Sequence, residues 1–492
     1  MRAYSYLIAL SAGIAVVGCN ESAITDYNHP GSFPHDQSYL QTEFSGVMDG
    51  GRTVVGSYAI FMSGMGRDLA YFTPSEDRFV KQVTGENPIQ NNNFIGTSVW
   101  TQLFTTVKGA DTLESAIPGM TLSNGSKYSA AQQAGLIGAL ETIKALDFMY
   151  AAETRDTLGV PITNVGNSGA PKPILCNPSV WKSIVAMLTT AKTSLDQAGG
   201  TAIPVTFPAG FLNTPSASGT TLTGTQFEQL TLALRGKAEV EYAYAIARAG
   251  NGTPDATQLT AAIADIQASG IYSSSALLTP SEAVPEADAG AFHVFSTASG
   301  DRINPIFGTV AIDWFLLDGA LAQMDTTDAR FVAKFTDLGK LSGTENNYTR
   351  SDGSPIASAW YYTDLNGSAP VTIVRNIELQ FLLAQAELGL GQYGTAANIV
   401  DSVRVKVGGL KPDTVPLDFT HVRDFLLREQ RVSLIGEGTG DRNIAMREYG
   451  LVKTAYTDWD VGGNTADYQS SVIPLPLTEI DARNNVTTCV NQ

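Results

Sequence analysis

The chain has 492 residues, and its 31 lysines and arginines stand against 48 aspartates and glutamates, for a formal net charge of −17. No basic stripe interrupts that acidic background, so nothing supports nucleic-acid binding, while 43% hydrophobic residues suit a large packed core. Charged residues make up only 16%, which leaves the surface to Gly, Ser, Thr and Asn and suits an extracytoplasmic protein with many loops.

Residues 1–18 read as a lipoprotein signal peptide: Arg2, then the apolar run Tyr6–Val17, then Val16-Val17-Gly18 ahead of Cys19. The run is too short for a membrane span of roughly 20 residues. Cys19 is the expected lipidation site, so contact with the membrane is through the anchor only, and residues 19–37 form a tether with turn formers at Asn28–Gly31. An ordinary secretory leader is the alternative.

Residues 38–270 predict a helical part. Tyr39, Phe44, Val47 and Met48 recur at helical spacing, and residues 52–72 predict a second, glycine-tolerant helix. Residues 73–94, with Pro74, Pro88 and Asn91-Asn92-Asn93, predict a loop. Helices follow over 97–117 and Ser129–Leu158, the latter with small residues at Ala131, Ala134, Gly135, Gly138 and Ala139 for close contact and a stop at Gly159-Val160-Pro161. Pro178–Ala198, Thr225–Ala249 and Thr257–Ser269 are further helices, with loops or short strands over 203–222. Paired helices with small residues at their contacts suit a helical-repeat array, although the strict tetratricopeptide signature is absent.

Residues 271–370 lose this periodicity and gather aromatics, which predicts an irregular, ligand-facing region. Trp314 and Phe315 lie in an apolar run and are expected in the core. Residues 371–492 return to helices at Thr372–Leu388, Tyr393–Val407 and Phe419–Ile435, with a terminal turn near Thr478–Asp481. Cys176 and Cys489 either pair, tying the tail to the body, or stay free; without a nearby histidine they make no zinc site.

No catalytic motif is present, no carboxylate pair stands out, and no enzyme activity or cofactor is expected. Of the four histidines, His29 and His35 lie in the tether and His421 opens a helix as a capping or surface group; the fourth is His293. Asp325, Asp328, Asp352 and Asp364 supply hard oxygen ligands but no complete calcium loop, so no metal is assigned. Arg428 and Arg431 share a helix face. With Glu429, Glu437, Asp441 and Arg442 they predict a structural ion-pair network reaching Glu378 or Glu387.

A sugar site needs flat aromatic faces ringed by hydrogen-bonding groups. Residues 346–366 carry that mixture in Asn346, Asn347, Tyr348, Arg350, Asp352, Trp360, Tyr361, Tyr362, Asp364 and Asn366. Residues 71–94 carry a second set, Tyr71, Phe72, Asp77, Arg78 and Asn91–Asn93, of which Asn92 is a named candidate. Either set also suits an ordinary buried loop anchor.

Three segments carry a family resemblance. They are the Cys19 leader; the helix running from Ala134 into Leu158-Gly159-Val160-Pro161-Ile162; and the C-terminal third, with Arg375-Asn376-Ile377-Glu378, Ala384–Glu387, Val403–Gly409, Leu427–Arg431, Gly436-Glu437-Gly438 and Ile473–Pro476. In this order and spacing the chain resembles the SusD/RagB family of outer-membrane nutrient-binding lipoproteins. It departs from the family at Thr439–Ile444, where an aromatic, Asp-Leu-rich stretch is usual, and at Ser433, where an acidic residue is common. The resemblance implies an all-α-dominated α/α superhelix with tetratricopeptide-like helix pairs and a large loop-rich region. It also implies a lipid-anchored, surface-exposed place on the outer membrane and a partner TonB-dependent transporter of SusC type. The ligand it implies is an oligosaccharide or a peptide, unless the chain is only a lid for the transporter.

Overall fold

The computed structural model describes residues 36–73, 75–85, 87–122, 124–162, 171–250, 252–306, 314–349, 353–363, 367–438, 442–452 and 472–491. Cys19, the leader and nearly all of the tether lie outside the described residues.

The first helix, α1 (Gln37–Met65), starts where the Asp36 side chain accepts from the Ser38 and Tyr39 amides. It absorbs both helices predicted for this stretch. Gly50 and Gly51 do not interrupt it; they let neighbours approach, since a Cβ at Gly50 would sit 1.9 Å from Thr106 Oγ1 and one at Gly51 would sit 2.9 Å from His293. The helix predicted up to residue 72 instead ends near Gly66, where Arg67 takes φ 53° and redirects the chain into β1 (Leu69–Tyr71). The 73–94 stretch contains one short helix, α2 (Arg78–Lys81).

The next helices fall close to their predicted places: α3 (Phe94–Ala116), α4 (Ala130–Arg155), α5 (Asn177–Ala198), α6 (Gly224–Ala249) and α7 (Ala256–Ala268). Capping boxes start α4 (Ser129 with Gln132) and α6 (Thr223 with Gln226), and a proline stands in the first turn of α5. From α3 to α7 each helix packs on the next. Small residues close the seams: a Cβ at Gly138 would meet Leu195 at 2.6 Å, and one at Gly236 would meet Ile266 at 2.7 Å.

The predicted irregular stretch has more order than its sequence suggests. It supplies β3 (Gly290–His293), β4 (Trp314–Leu317), α8 (Asp318–Leu321), α9 (Ala329–Val332), β5 (Phe335–Asp337) and β6 (Ala357–Tyr362). With β2 (Leu212–Asn213) and β7 (Val371–Arg375) these make two antiparallel sheets, ordered β1-β4-β6-β5 and β2-β3-β7. β7 corrects the helix predicted from Thr372: the β-branched run Val371-Thr372-Ile373-Val374 pairs with β3, and α10 begins only at Asn376 and runs to Gly389.

Then come α11 (Tyr393–Lys406), α12 (Phe419–Leu434), α13 (Arg442–Glu448) and α14 (Leu477–Ala482). Trp314 and Phe315 are 3% and 1% exposed, in the core as expected. Cys176 and Cys489 are bonded, joining positions 313 residues apart in sequence. Among the described residues no helix is long and apolar enough to cross a membrane.

Candidate functional site

The first sheet unites the two candidate ligand segments. β1 pairs with β4 (Tyr71↔Trp314) and β4 with β6 (Phe315↔Tyr361), so residues 71–94 and 346–362 lie close in space although far apart in sequence. The contact is direct at Phe72 and Tyr348, whose ring centroids are 5.5 Å apart.

The Trp360-Tyr361-Tyr362 run does not make one platform. Successive strand residues face opposite sides of a sheet. Trp360 stands edge-on to Phe331 at 5.0 Å, and Tyr362 packs on Trp314 at 5.2 Å, while Tyr361 turns to the other face, 6.4 Å from Phe315. Tyr362 is 5% exposed and belongs to the core, which removes it as a ligand contact. Trp360, Tyr361 and Tyr348 remain partly buried, and Asn347 is exposed. Arg350, Asp352, Asp364 and Asn366 lie outside the described residues.

The 71–94 segment keeps its aromatic faces together. Tyr71 meets Phe79 edge-on at 5.2 Å, Phe79 lies 5.0 Å from Phe94, and the Arg78 guanidinium sits 4.8 Å over the Phe94 ring. All four residues are partly buried. Arg78 Nε also donates to Glu76 Oε1 at 2.6 Å, which lowers the Glu76 pKa and raises that of Arg78. Asp77 pairs with Lys81 at 2.7 Å, and Asn92 is exposed beside Asn93, the N-cap of α3. The three rings also pack inward, Phe79 stacking on Phe61 at 6.0 Å, so what they leave at the surface is partly buried ring, a guanidinium and an exposed amide, groups of the types a pyranose contacts through its C–H faces and hydroxyls.

Of the residues expected in an ion-pair network, Arg428, Glu429, Arg431 and Glu437 form ion pairs, with other partners than those expected. Arg431 Nε donates to Asp68 at 2.6 Å and Nη1 to Gln323 Oε1 at 2.8 Å, while Arg428 pairs with Asp413 and Glu429. Glu378 lies instead 3.1 Å from Lys237, which also stands 3.0 Å from Glu153. Glu429 is shared by Arg330 and Arg404, each at 2.7 Å. Ser433, the departure from the family pattern, serves this network: its hydroxyl accepts from Arg330 Nη1 at 3.0 Å and donates to the Glu429 carbonyl at 2.9 Å. Glu437 is clasped by Arg375 (Nε 2.6 Å, Nη2 2.9 Å) and by Lys334. Burial opposes ionisation of Glu437, but the two cations outweigh it and its pKa is lowered. Asp441 lies outside the described residues, and Arg442 opens α13. Sequence reasoning missed Arg330, Lys334 and Arg375 as hubs; the one signal was Arg375 at the head of the family-like Arg375-Asn376-Ile377-Glu378.

The remaining polar candidates are occupied. His293 is 5% exposed and bonds the Tyr150 hydroxyl at 3.1 Å; burial, then Arg52, lowers its pKa to about 3. His421 pairs with Asp418, the N-cap of α12. Asp325 accepts from Thr327, and Asp328 caps α9 and pairs with Arg330. Among the described residues no group of three or more His, Cys, Asp or Glu is arranged to hold a metal ion.

Among the described residues, open cavities of similar size include one of about 230 Å³ beside β3 at Asn213 and Phe292, one of about 250 Å³ at Arg404 and Arg428, and one of about 270 Å³ at Arg248 and the disulfide. A narrow recess of about 10 Å³, the size of one water, lies among Glu153, Lys237, Glu241, Glu378 and Glu448. There burial, then the neighbouring Glu448, raises the Glu241 pKa well above the usual range.

No sequence-family model matches the chain, and no curated protein does. Solved structures do. A SusD superfamily protein from Bacteroides thetaiotaomicron aligns with TM-score 0.65 at 14% identity, over 92% of this chain and 98% of its own. Surface glycan-binding protein A from the same species, solved with laminarihexaose, aligns with TM-score 0.62 at 12% identity, again over 92% and 98%. A laminarin-binding SusD-like protein aligns with TM-score 0.57 at 16% identity over the same shares. Over nearly its whole length, this chain has the fold of the SusD superfamily.

Proposed function

We propose that the chain is a non-catalytic, surface-exposed lipoprotein of SusD/RagB type. It captures oligosaccharides for import by a partner TonB-dependent outer-membrane transporter of SusC type. The observation that carries this reading is the Tyr71–Phe79–Phe94 patch with Arg78 over it and Asn92 beside it, set on a fold shared with glycan-binding proteins. Capture is noncovalent, through stacking and hydrogen bonds at a shallow surface. The Cys19 lipid keeps the protein beside its partner.

Calorimetry on the lipid-free chain starting at Asn20, against panels of oligosaccharides and of peptides, tests the reading. Saturable binding to a sugar is the expected result. Binding to peptides alone moves the function to peptide capture, and binding to neither panel favours a lid for the transporter.

A further inference from the structure

The C-terminal residues 472–491 form a strap across the body. At one end the Ile473 amide donates to the Thr154 carbonyl at 2.8 Å, and the Ile473 carbonyl accepts from Arg155 Nη1 at 3.0 Å. Leu475, 4% exposed, is buried with Trp100 and Ile174. At the other end Val490 bridges to Leu175 in parallel: its amide donates to the Ile174 carbonyl at 2.8 Å and its carbonyl accepts from the Cys176 amide at 2.9 Å. Beside this bridge the Cys176–Cys489 bond closes the strap. Between the two ends Leu477 opens α14, and its amide donates to the Asn91 carbonyl at 3.0 Å.

Asn91 begins the turn that exposes Asn92 and ends at Asn93. On its other side the turn is held by Gln82, whose Oε1 accepts from the Gln90 amide at 3.2 Å and from Asn93 Nδ2 at 2.9 Å. The turn is therefore gripped from two sides, by Gln82 within its own segment and by the strap. Between its ends the strap is held by Arg483, which donates to the Lys172 carbonyl, and by Ile480, which packs beside Leu475; beyond Arg483 it has little to hold it. A helix of six residues is not stable alone, and residues 484–488 are all exposed. Without a covalent closure such an end frays.

We propose that the Cys176–Cys489 bond is a latch for the ligand surface: it holds the strap closed, and through Leu477 it fixes the Asn91–Asn93 turn that presents Asn92. The link to affinity rests on the glycan-site reading above; the mechanical link does not.

The test is hydrogen exchange on the full lipid-free chain, without ligand, comparing wild type with Cys176→Ser/Cys489→Ser and with Leu477→Pro. Proline at the first position of a helix is tolerated, and Pro476 before it is already extended at φ −55° and ψ 141°. Leu477→Pro therefore removes the amide that holds Asn91 and leaves the disulfide intact. Both variants should speed exchange over residues 87–94 by roughly threefold or more, with α6 unchanged, and only the cysteine variant should also loosen residues 484–491. Unchanged exchange over 87–94 in the cysteine variant overturns the latch, whatever Leu477→Pro does, and unchanged exchange in Leu477→Pro overturns the route through Leu477. Calorimetry with laminarihexaose as the probe separates the two claims. If both variants weaken its binding, the latch governs the ligand surface. If wild type and both variants bind it equally well while exchange over 87–94 still rises, the latch stands and the link to affinity falls; if wild type does not bind it, the exchange result alone decides the latch.

Discussion

At the scale of single residues, the C-terminal network decides where charge can be buried. Arg375 is 1% exposed, with Glu437 on one side and Asp288 at 3.0 Å on the other. Burial, only partly offset by Arg375, raises the Asp288 pKa to about 6. Removing the guanidinium strands two buried carboxyl groups, with only Lys334 left for Glu437. Arg375→Ala should thus cost about 3–5 kcal/mol of stability, the usual range when one partner of a buried pair is deleted, as a lower midpoint in urea unfolding. A loss below about 1 kcal/mol would mean that the pair is solvated. The sequence expectation put Arg428 and Arg431 on one helix face, and in the fold they go to different partners, Arg428 at the surface to Asp413 and Arg431 in the interior to Asp68. It could not name their partners, because Asp68, which holds Arg431, lies 363 residues away.

At the scale of elements, glycine has two opposite roles among these helices. Gly138 in α4 faces α5 so closely that a Cβ would meet the Ala191 carbonyl at 2.9 Å as well as Leu195 at 2.6 Å. A backbone carbonyl cannot step aside, so Gly138→Ala should destabilise by about 1–3 kcal/mol, although alanine is the better helix former. Gly46 in α1 has nothing within 4 Å of its Cβ position, and Gly46→Ala should stabilise by roughly 0.5–1 kcal/mol. Paired thermal melts check both signs; a stabilised Gly138→Ala would show that the α4–α5 seam is loose. The same distinction explains what was legible. Helices α3 to α7 could be read from local signals, their caps and apolar period. The break predicted inside α1 does not occur: Gly50 and Gly51, which fall there, serve close packing against Thr106 and His293. The strands were hidden because β1 finds its partner at Leu316 and β7 at Ala291, outside any local window. The candidate site was half legible for the same reason. Its residue types were visible in two segments, but their meeting through β1-β4-β6 and the loss of Tyr362 to the core depend on sheet register.

At the scale of the whole molecule, a stack of helices carries a sheet on which distant loops meet. The proposed function puts that surface outside the cell, with a lipid on Cys19 as its anchor. Cys19→Ser should move the protein from the membrane fraction to the soluble fraction on cell fractionation, because the proposed lipid at Cys19 is its contact with the membrane. Retention of the variant in the membrane fraction would assign the anchor elsewhere.

The central claim is that the Tyr71–Phe94 patch binds sugar, and Arg78 and Asn92 are its most separable parts. Both are off the core, so their removal should leave the fold intact. The most direct measurement is the affinity of Arg78→Ala/Asn92→Ala for whichever oligosaccharide wild type binds, read by calorimetry beside a circular dichroism control. A loss of roughly tenfold or more, about 1.4 kcal/mol, with unchanged dichroism is the predicted result. Unchanged affinity would contradict the account and move the sugar to another face of the molecule.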